Sequence, residues 1–114
     1  MKRTVAVVQA TPVVLDLEAS IEKACALVAE AAERGAEIIA FPETWLPVYP
    51  LWCDAGTLGK WGHEPSKRAH ARLAAESLVV PSPATERLGR AAREAGATVV
   101  MGANERIASG SLVQ

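Results

Sequence analysis

Cysteine is scarce in this chain: two among 114 residues, Cys25 and Cys53. One falls in a helical pattern and the other in a loop, so no disulfide framework is expected and a reducing cytoplasm is the expected compartment. Aromatic residues are few and confined to one window, as Phe41, Trp45, Tyr49, Trp52 and Trp61. An excess of either charge is absent, with a net of −1. That leaves no strong field for nucleic acid or an anionic membrane, and little repulsion to keep copies apart. No apolar run approaches the ~20 residues that span a bilayer. The opening MKRTVAVVQATPVV carries two basic residues and an apolar run. Gln9, Thr11 and Pro12 break that run and no small-residue cleavage pattern follows, so no targeting signal is expected. A glycine-rich loop after the first apolar segment is also missing, which argues against a nucleotide-binding domain. His63, Glu64 and His70 lack zinc-helix spacing, so neither metal nor cofactor is expected.

What is present fits one small α/β domain. Residues 4–9, TVAVVQ, form a β-branched run without alternation, the pattern of a strand buried on both faces. Asp16 is a plausible N-cap. Leu17, Ile21, Ala24, Cys25, Val28, Ala31 and Ala32 then recur at helical spacing up to Gly35. Residues 36–41, AEIIAF, read as a second strand, so the opening is a βαβ unit with parallel strands. A glycine-bearing loop with Gly56, Gly59 and Gly62 leads to a helix expected over residues 66–77, then a brief extended segment at 78–80. Ser82 and Pro83 start another helix that ends at Gly96. Residues 97–102 form a third strand, with Asn104, Glu105 and Arg106 at its carboxyl end. Ser109 and Gly110 could turn a hairpin, but no partner strand is expected after them.

The chain is organised around FPETWLPVYP, residues 41–50. Pro42, Pro47 and Pro50 stiffen it, and it holds one acid, Glu43. In parallel sheets function gathers beyond the carboxyl ends of strands, where Glu43 lies. Flanked by Phe41, Pro42 and Trp45, its carboxylate should be partly desolvated, which suits a general base. On the pattern alone, a helix cap or an ion pair with Arg106 is equally expected of it.

The stretch AEIIAFPETWLPVYPLW resembles the first signature of the nitrilase branch of the carbon–nitrogen hydrolase superfamily. The similarity runs from about Val5 to Arg106. It implies an α-β-β-α sandwich, of which residues 1–114 form the amino-terminal part. It implies hydrolysis of nitriles, or of amides in related branches, by a Glu, Lys and Cys triad. Glu43 takes the place of the glutamate, which deprotonates the thiol and later the attacking water. Tyr49 and Trp52 become candidate substrate-pocket residues for a small-molecule nitrile or amide. Packing beneath a long loop is the alternative for Trp52 and Trp61. The basic group Lys60, Lys67, Arg68, His70 and Arg72 reads as a solvated helix face. By resemblance it lies where microbial nitrilases carry a subunit-contacting insertion, so a homo-oligomer is expected.

The sequence departs from the family pattern in three ways. The lysine and nucleophilic cysteine of the family follow later strands, so the chain is expected to be truncated before them and inactive alone. Cys53, beside Asp54, is a poor substitute because a neighbouring acid raises a thiol pKa. Cys25 is expected in the core, and neither Lys60 nor Lys67 follows a strand. Val48 stands where nitrilases commonly have glycine, and the chain reads GSLVQ where they continue into a strand. The contrasting expectation is a non-catalytic module that associates through the open edge of this half-fold.

Overall fold

A computed structural model describes residues 1–54, 60 and 62–114. Three short strands, β1 (Val5–Val7), β2 (Ile38–Ala40) and β3 (Thr98–Val100), form a parallel sheet in the order β1-β2-β3. Val5 lies opposite Ile38, and Ile38 opposite Thr98. The parallel βαβ opening is therefore present, with β2 as the central strand.

Helix α1 (Leu17–Glu33) connects β1 to β2. Asp16 caps it by accepting from Ala19 N at 2.9 Å, as the sequence indicates. A second acid, Glu76, accepts from Leu17 N at 2.9 Å. Both carboxylates sit where unsatisfied N–H groups and the helix dipole favour negative charge. Gly35 follows the helix with φ +84°, a conformation open to glycine at little cost.

Helix α2 (Glu64–Ala75) starts two residues earlier than the apolar pattern indicates. His63 is its N-cap, its Nδ1 accepting from Ser66 N at 3.3 Å, a role outside the usual set of capping residues. Leu73 is the residue that α2 buries. Arg72 Nε donates to Leu15 O at 3.2 Å and Arg72 pairs with Glu76, so the end of α2 is tied to the start of α1. Lys60, Lys67, Arg68, His70 and Arg72 are all exposed.

Helix α3 (Pro83–Ala95) has the expected Ser82 cap, completed by Thr85 as a reciprocal capping box, and it stops at left-handed Gly96. The chain then departs from expectation. Residues 107–111 do turn a hairpin, and β4 (Glu105–Arg106) pairs antiparallel with β5 (Leu112–Val113). Two residues of strand gave too little alternation to be read.

Helices α1 and α3 pack on one face of the sheet. Ile39, fully buried, meets Ile21, Ala24 and Val28 there, with Val99, Leu88 and Ala91 at the margin. Burying a side chain such as Ile39 is worth roughly 1.5–3 kcal/mol. The other face is bare: Val5, Val7 and Val100 are 55%, 74% and 54% exposed. The expectation that β1 is buried on both faces is thus wrong. β1 is an edge strand with one covered face, and an unbroken apolar run cannot tell an uncovered face from a covered one.

Replacing Ser82 with Ala removes the capping box of α3. A loss of ~1 kcal/mol is expected, read as a lower urea midpoint at unchanged slope.

Candidate active site

Immediately after β2 the backbone turns sharply. Thr44 adopts φ +47° with its side chain buried, a conformation that costs a β-branched residue about 1–3 kcal/mol. Its hydroxyl is buried without a hydrogen-bond partner. Neighbouring contacts hold the turn in place. Trp45 Nε1 donates to Ala10 O at 2.6 Å, and the Phe41 and Trp45 rings meet edge to face at 4.9 Å. Leu15 N donates to Pro47 O at 3.4 Å.

The segment after β3 closes against this turn. Leu46 N donates to Gly102 O at 3.1 Å, and Asn104 N donates to Leu46 O at 2.8 Å. Buried Asn104 also donates from Nδ2 to Val48 O at 3.3 Å. A Cβ on Gly102 would stand 2.1 Å from Pro42 O, 2.8 Å from Thr44 N and 2.9 Å from Glu43 Cα. Only a residue without a side chain permits that approach.

Glu43 emerges at the carboxyl end of the central strand, over an open cavity of about 440 Å³. Thr44, Met101, Gly102 and Ala103 line the cavity, together with Leu78 and Glu105. The Glu43 side chain is exposed, so the partial desolvation expected from its neighbours is not supplied by this chain. The aromatic rings that flank it in sequence turn away: Phe41 and Trp45 enter the core with Ile39. Among the described residues its carboxylate caps no helix and pairs with no arginine.

Tyr49 and Trp52 do not line the Glu43 cavity. Tyr49 is 40% exposed and donates from its hydroxyl to Asp54 Oδ2 at 2.7 Å. That hydrogen bond and the charge of Asp54 hold the phenol above its usual pKa, and the Glu43 charge adds to the shift. Trp52 is half-buried in a single 3₁₀ turn, its indole N–H enclosed and unpaired. Trp61, Gly56 and Gly59 lie outside the described residues. Val48 is half-buried and uses its carbonyl to hold Asn104.

No cysteine or lysine is among the described residues lining the Glu43 cavity. Cys53 is exposed, and Cys25 is half-buried at the seam of α1 and α3. Burial pushes the Cys25 thiol up, while Arg87 opposes the shift. Among the described residues no three His, Cys, Asp or Glu side chains gather as a metal site. No helix there is long and apolar enough to cross a membrane. Sequence reasoning missed Gly102 and Thr44, and named Asn104 only for its place beyond the third strand. Gly102 left a signal, as a glycine two residues past the end of β3.

A parallel sheet with helices between its strands, and a carboxylate presented beyond the central one, defines an α/β protein with an enzyme-like site. Comparison with known proteins makes this specific: the carbon-nitrogen hydrolase family profile matches residues 4–113, and the chain belongs to that family. It is 42% identical over 103 residues to an arylacetonitrilase of Aspergillus oryzae, covering 90% of this chain and 29% of that protein. A nitrilase of Pseudomonas syringae is 46% identical over 104 residues, covering 90% of this chain and 29% of its own length. An aliphatic nitrilase of Rhodococcus rhodochrous is 42% identical over 106 residues, with 92% and 26% covered. The chain thus spans less than a third of these relatives.

Two outcomes follow from the geometry. Gly102→Ala forces Cβ into Pro42 O and should destabilise the chain by about 1–3 kcal/mol or more, measured by urea unfolding. Exposed Cys53 should react with a disulfide reagent well before Cys25 at neutral pH, because burial and a raised pKa both slow Cys25. Cys53→Ala should abolish the fast phase.

Proposed function

We propose that this chain is the glutamate-bearing amino-terminal part of a nitrilase-type hydrolase, in which Glu43 acts as the general base. The observation that carries this reading is the placement of Glu43, projecting from the carboxyl end of the central strand into an open cavity, within the stretch matched to the family. The bare apolar face of the sheet supports an α-β-β-α sandwich, since a sheet must cover such a face to remain stable in water.

The chemistry proposed follows from a carboxylate base working with a thiol. Glu43 takes the proton of a cysteine thiol, the thiolate adds to the nitrile carbon, and Glu43 hands that proton to the nitrile nitrogen, giving a thioimidate and restoring the carboxylate. Water, deprotonated by the same carboxylate, releases ammonia and leaves a thioester. A second water hydrolyses the thioester to the carboxylic acid and regenerates the thiol. A lysine stabilises the charged intermediates. The thiol and the lysine are assigned to sequence outside these 114 residues. Tyr49 and Trp52 are proposed to contact the substrate, a reading supported by their place in the stretch matched to the family, although neither lines the Glu43 cavity of this chain. Relatives named for arylacetonitriles and for aliphatic nitriles match about equally well, so the substrate class proposed is the nitrile group itself. The complete enzyme is proposed to be a homo-oligomer, and residues 1–114 a part of its hydrolase domain.

Alone, the 114-residue chain should release no ammonia from aliphatic or aryl nitriles. Turnover lost in both Glu43→Gln and Cys53→Ala would overturn that expectation and make Cys53 the nucleophile. Substituted for the matching segment of the Pseudomonas syringae nitrilase, the chain should support turnover. In that chimera Glu43→Gln should lower kcat by about 10²–10⁴-fold at unchanged fold. An equal rate in the variant would remove Glu43 from the base role.

A further inference from the structure

We infer that Asn104 is a positioning residue of the proposed hydrolase: its backbone holds the turn that carries Glu43, and its side chain holds a separate arm that carries Tyr49. The inference rests on the reading that Glu43 is the base and that Tyr49 contacts the substrate.

Asn104 lies beyond the carboxyl end of β3 and is 3% exposed. Three of its polar groups reach three different segments. Its N–H donates to Leu46 O at 2.8 Å, two residues past the strained Thr44. Its C=O accepts from Leu78 N at 2.9 Å, and Leu78 lines the Glu43 cavity. Its Nδ2 donates to Val48 O at 3.3 Å. A carbonyl only accepts, so the amide must turn its nitrogen toward Val48. The two backbone bonds survive any substitution at position 104 other than proline. What the side chain adds is the tether on Val48.

That tether sits at the root of an arm. Residues 49–54 are knit together by their own hydrogen bonds: Leu51 N donates to Tyr49 O at 2.8 Å, Cys53 N to Pro50 O at 2.9 Å and Asp54 N to Leu51 O at 3.1 Å. The Tyr49 hydroxyl donates to Asp54. Among the described residues the hydrogen bonds of this segment stay inside it. The chain is joined to the domain just before it, at Pro47 O by Leu15 N and at Val48 O by Asn104 Nδ2. Val48 is thus the last hydrogen-bonded tether, one residue short of Tyr49. Cutting it should free the substrate-contacting arm and leave the Glu43 turn in place, so binding should suffer and the chemical step should not.

In the Pseudomonas syringae chimera, Asn104→Leu keeps the volume of the side chain and removes the donor. KM for a nitrile should rise roughly tenfold while kcat stays within about threefold, the pattern of a lost binding contact. Asn104→Asp sets a carboxylate against Val48 O and should raise KM likewise at neutral pH. Protonation gives that carboxyl an O–H to donate to the same carbonyl, so its KM should approach that of the unaltered chimera as pH falls, whereas the KM of Asn104→Leu should not. The chain has one tyrosine, so fluorotyrosine labelling of the 114 residues places a single fluorine resonance on the arm. That line should be broad in the unaltered chain, as for a residue fixed to the domain, and narrow in Asn104→Leu. An unchanged KM, a fall in kcat without a rise in KM, or an Asn104→Asp defect that persists at low pH each overturns the inference. So does a narrow fluorine line in the unaltered chain, a measurement that stands even if both variants unfold. An unchanged KM in Tyr49→Ala, or an equal rate in Glu43→Gln, sinks the underlying reading instead, and the fluorine line still reports whether Asn104 holds the arm.

Discussion

The carbonyl of Pro42 and the α-carbon of Gly102 come so close that no Cβ fits between the strands they follow. Around that approach the Leu46, Gly102 and Asn104 hydrogen bonds extend the pairing of β2 and β3 past the end of the regular sheet. The turn carrying Glu43 is clamped between them. Its strained Thr44 is tolerated because Leu46 and Trp45, both buried, fix the backbone on the far side. For the base role proposed for Glu43, a mount of this kind supplies rigidity before substrate arrives.

The rest of the molecule divides unevenly between interior and surface. Buried Ile21, Val28 and Ile39 concentrate the apolar contacts between the sheet and the α1 and α3 layer. Ion pairs lie outside: Arg3–Glu37, Arg34–Glu30 and Lys67–Glu64 are largely solvent-exposed, and Arg87 pairs with Glu18 across α3 and α1. Exposed pairs of this kind contribute roughly 0–1 kcal/mol each. Glu76 differs in kind, because it joins the end of α2 to the first N–H of α1 and is better covered than most.

Local chemistry was legible in the sequence, and distant chemistry was not. Asp16, Ser82, Gly35 and Gly96 act through neighbours a few residues away, so the ends of α1 and α3 could be read from spacing. The parallel pairing of β1 and β2 followed from the helix between them. His63 was unreadable as a cap because histidine seldom serves as one. The exposure of Val5 and Val7 depends on what lies across the sheet, about which a β-branched run says nothing. Glu43 could be placed at a strand end, yet its solvation could not be, since Phe41 and Trp45 turn into the core and away from it. Gly102, Asn104 and Thr44 matter through contacts with residues tens of positions away, or through a backbone angle with no signature in composition.

The sheet order β1-β2-β3 also bears on how the chain is made. Each strand of the three-stranded sheet joins beside the one synthesised before it, so none of the three must be threaded between two already in place. A chain leaving the ribosome can complete β1, α1 and β2 before α3 and β3 exist, and β3 then closes across the long stretch from Ala40 to Thr98. The clamp at Gly102 comes last in this sequence, so the turn that presents Glu43 is fixed only when the third strand has arrived.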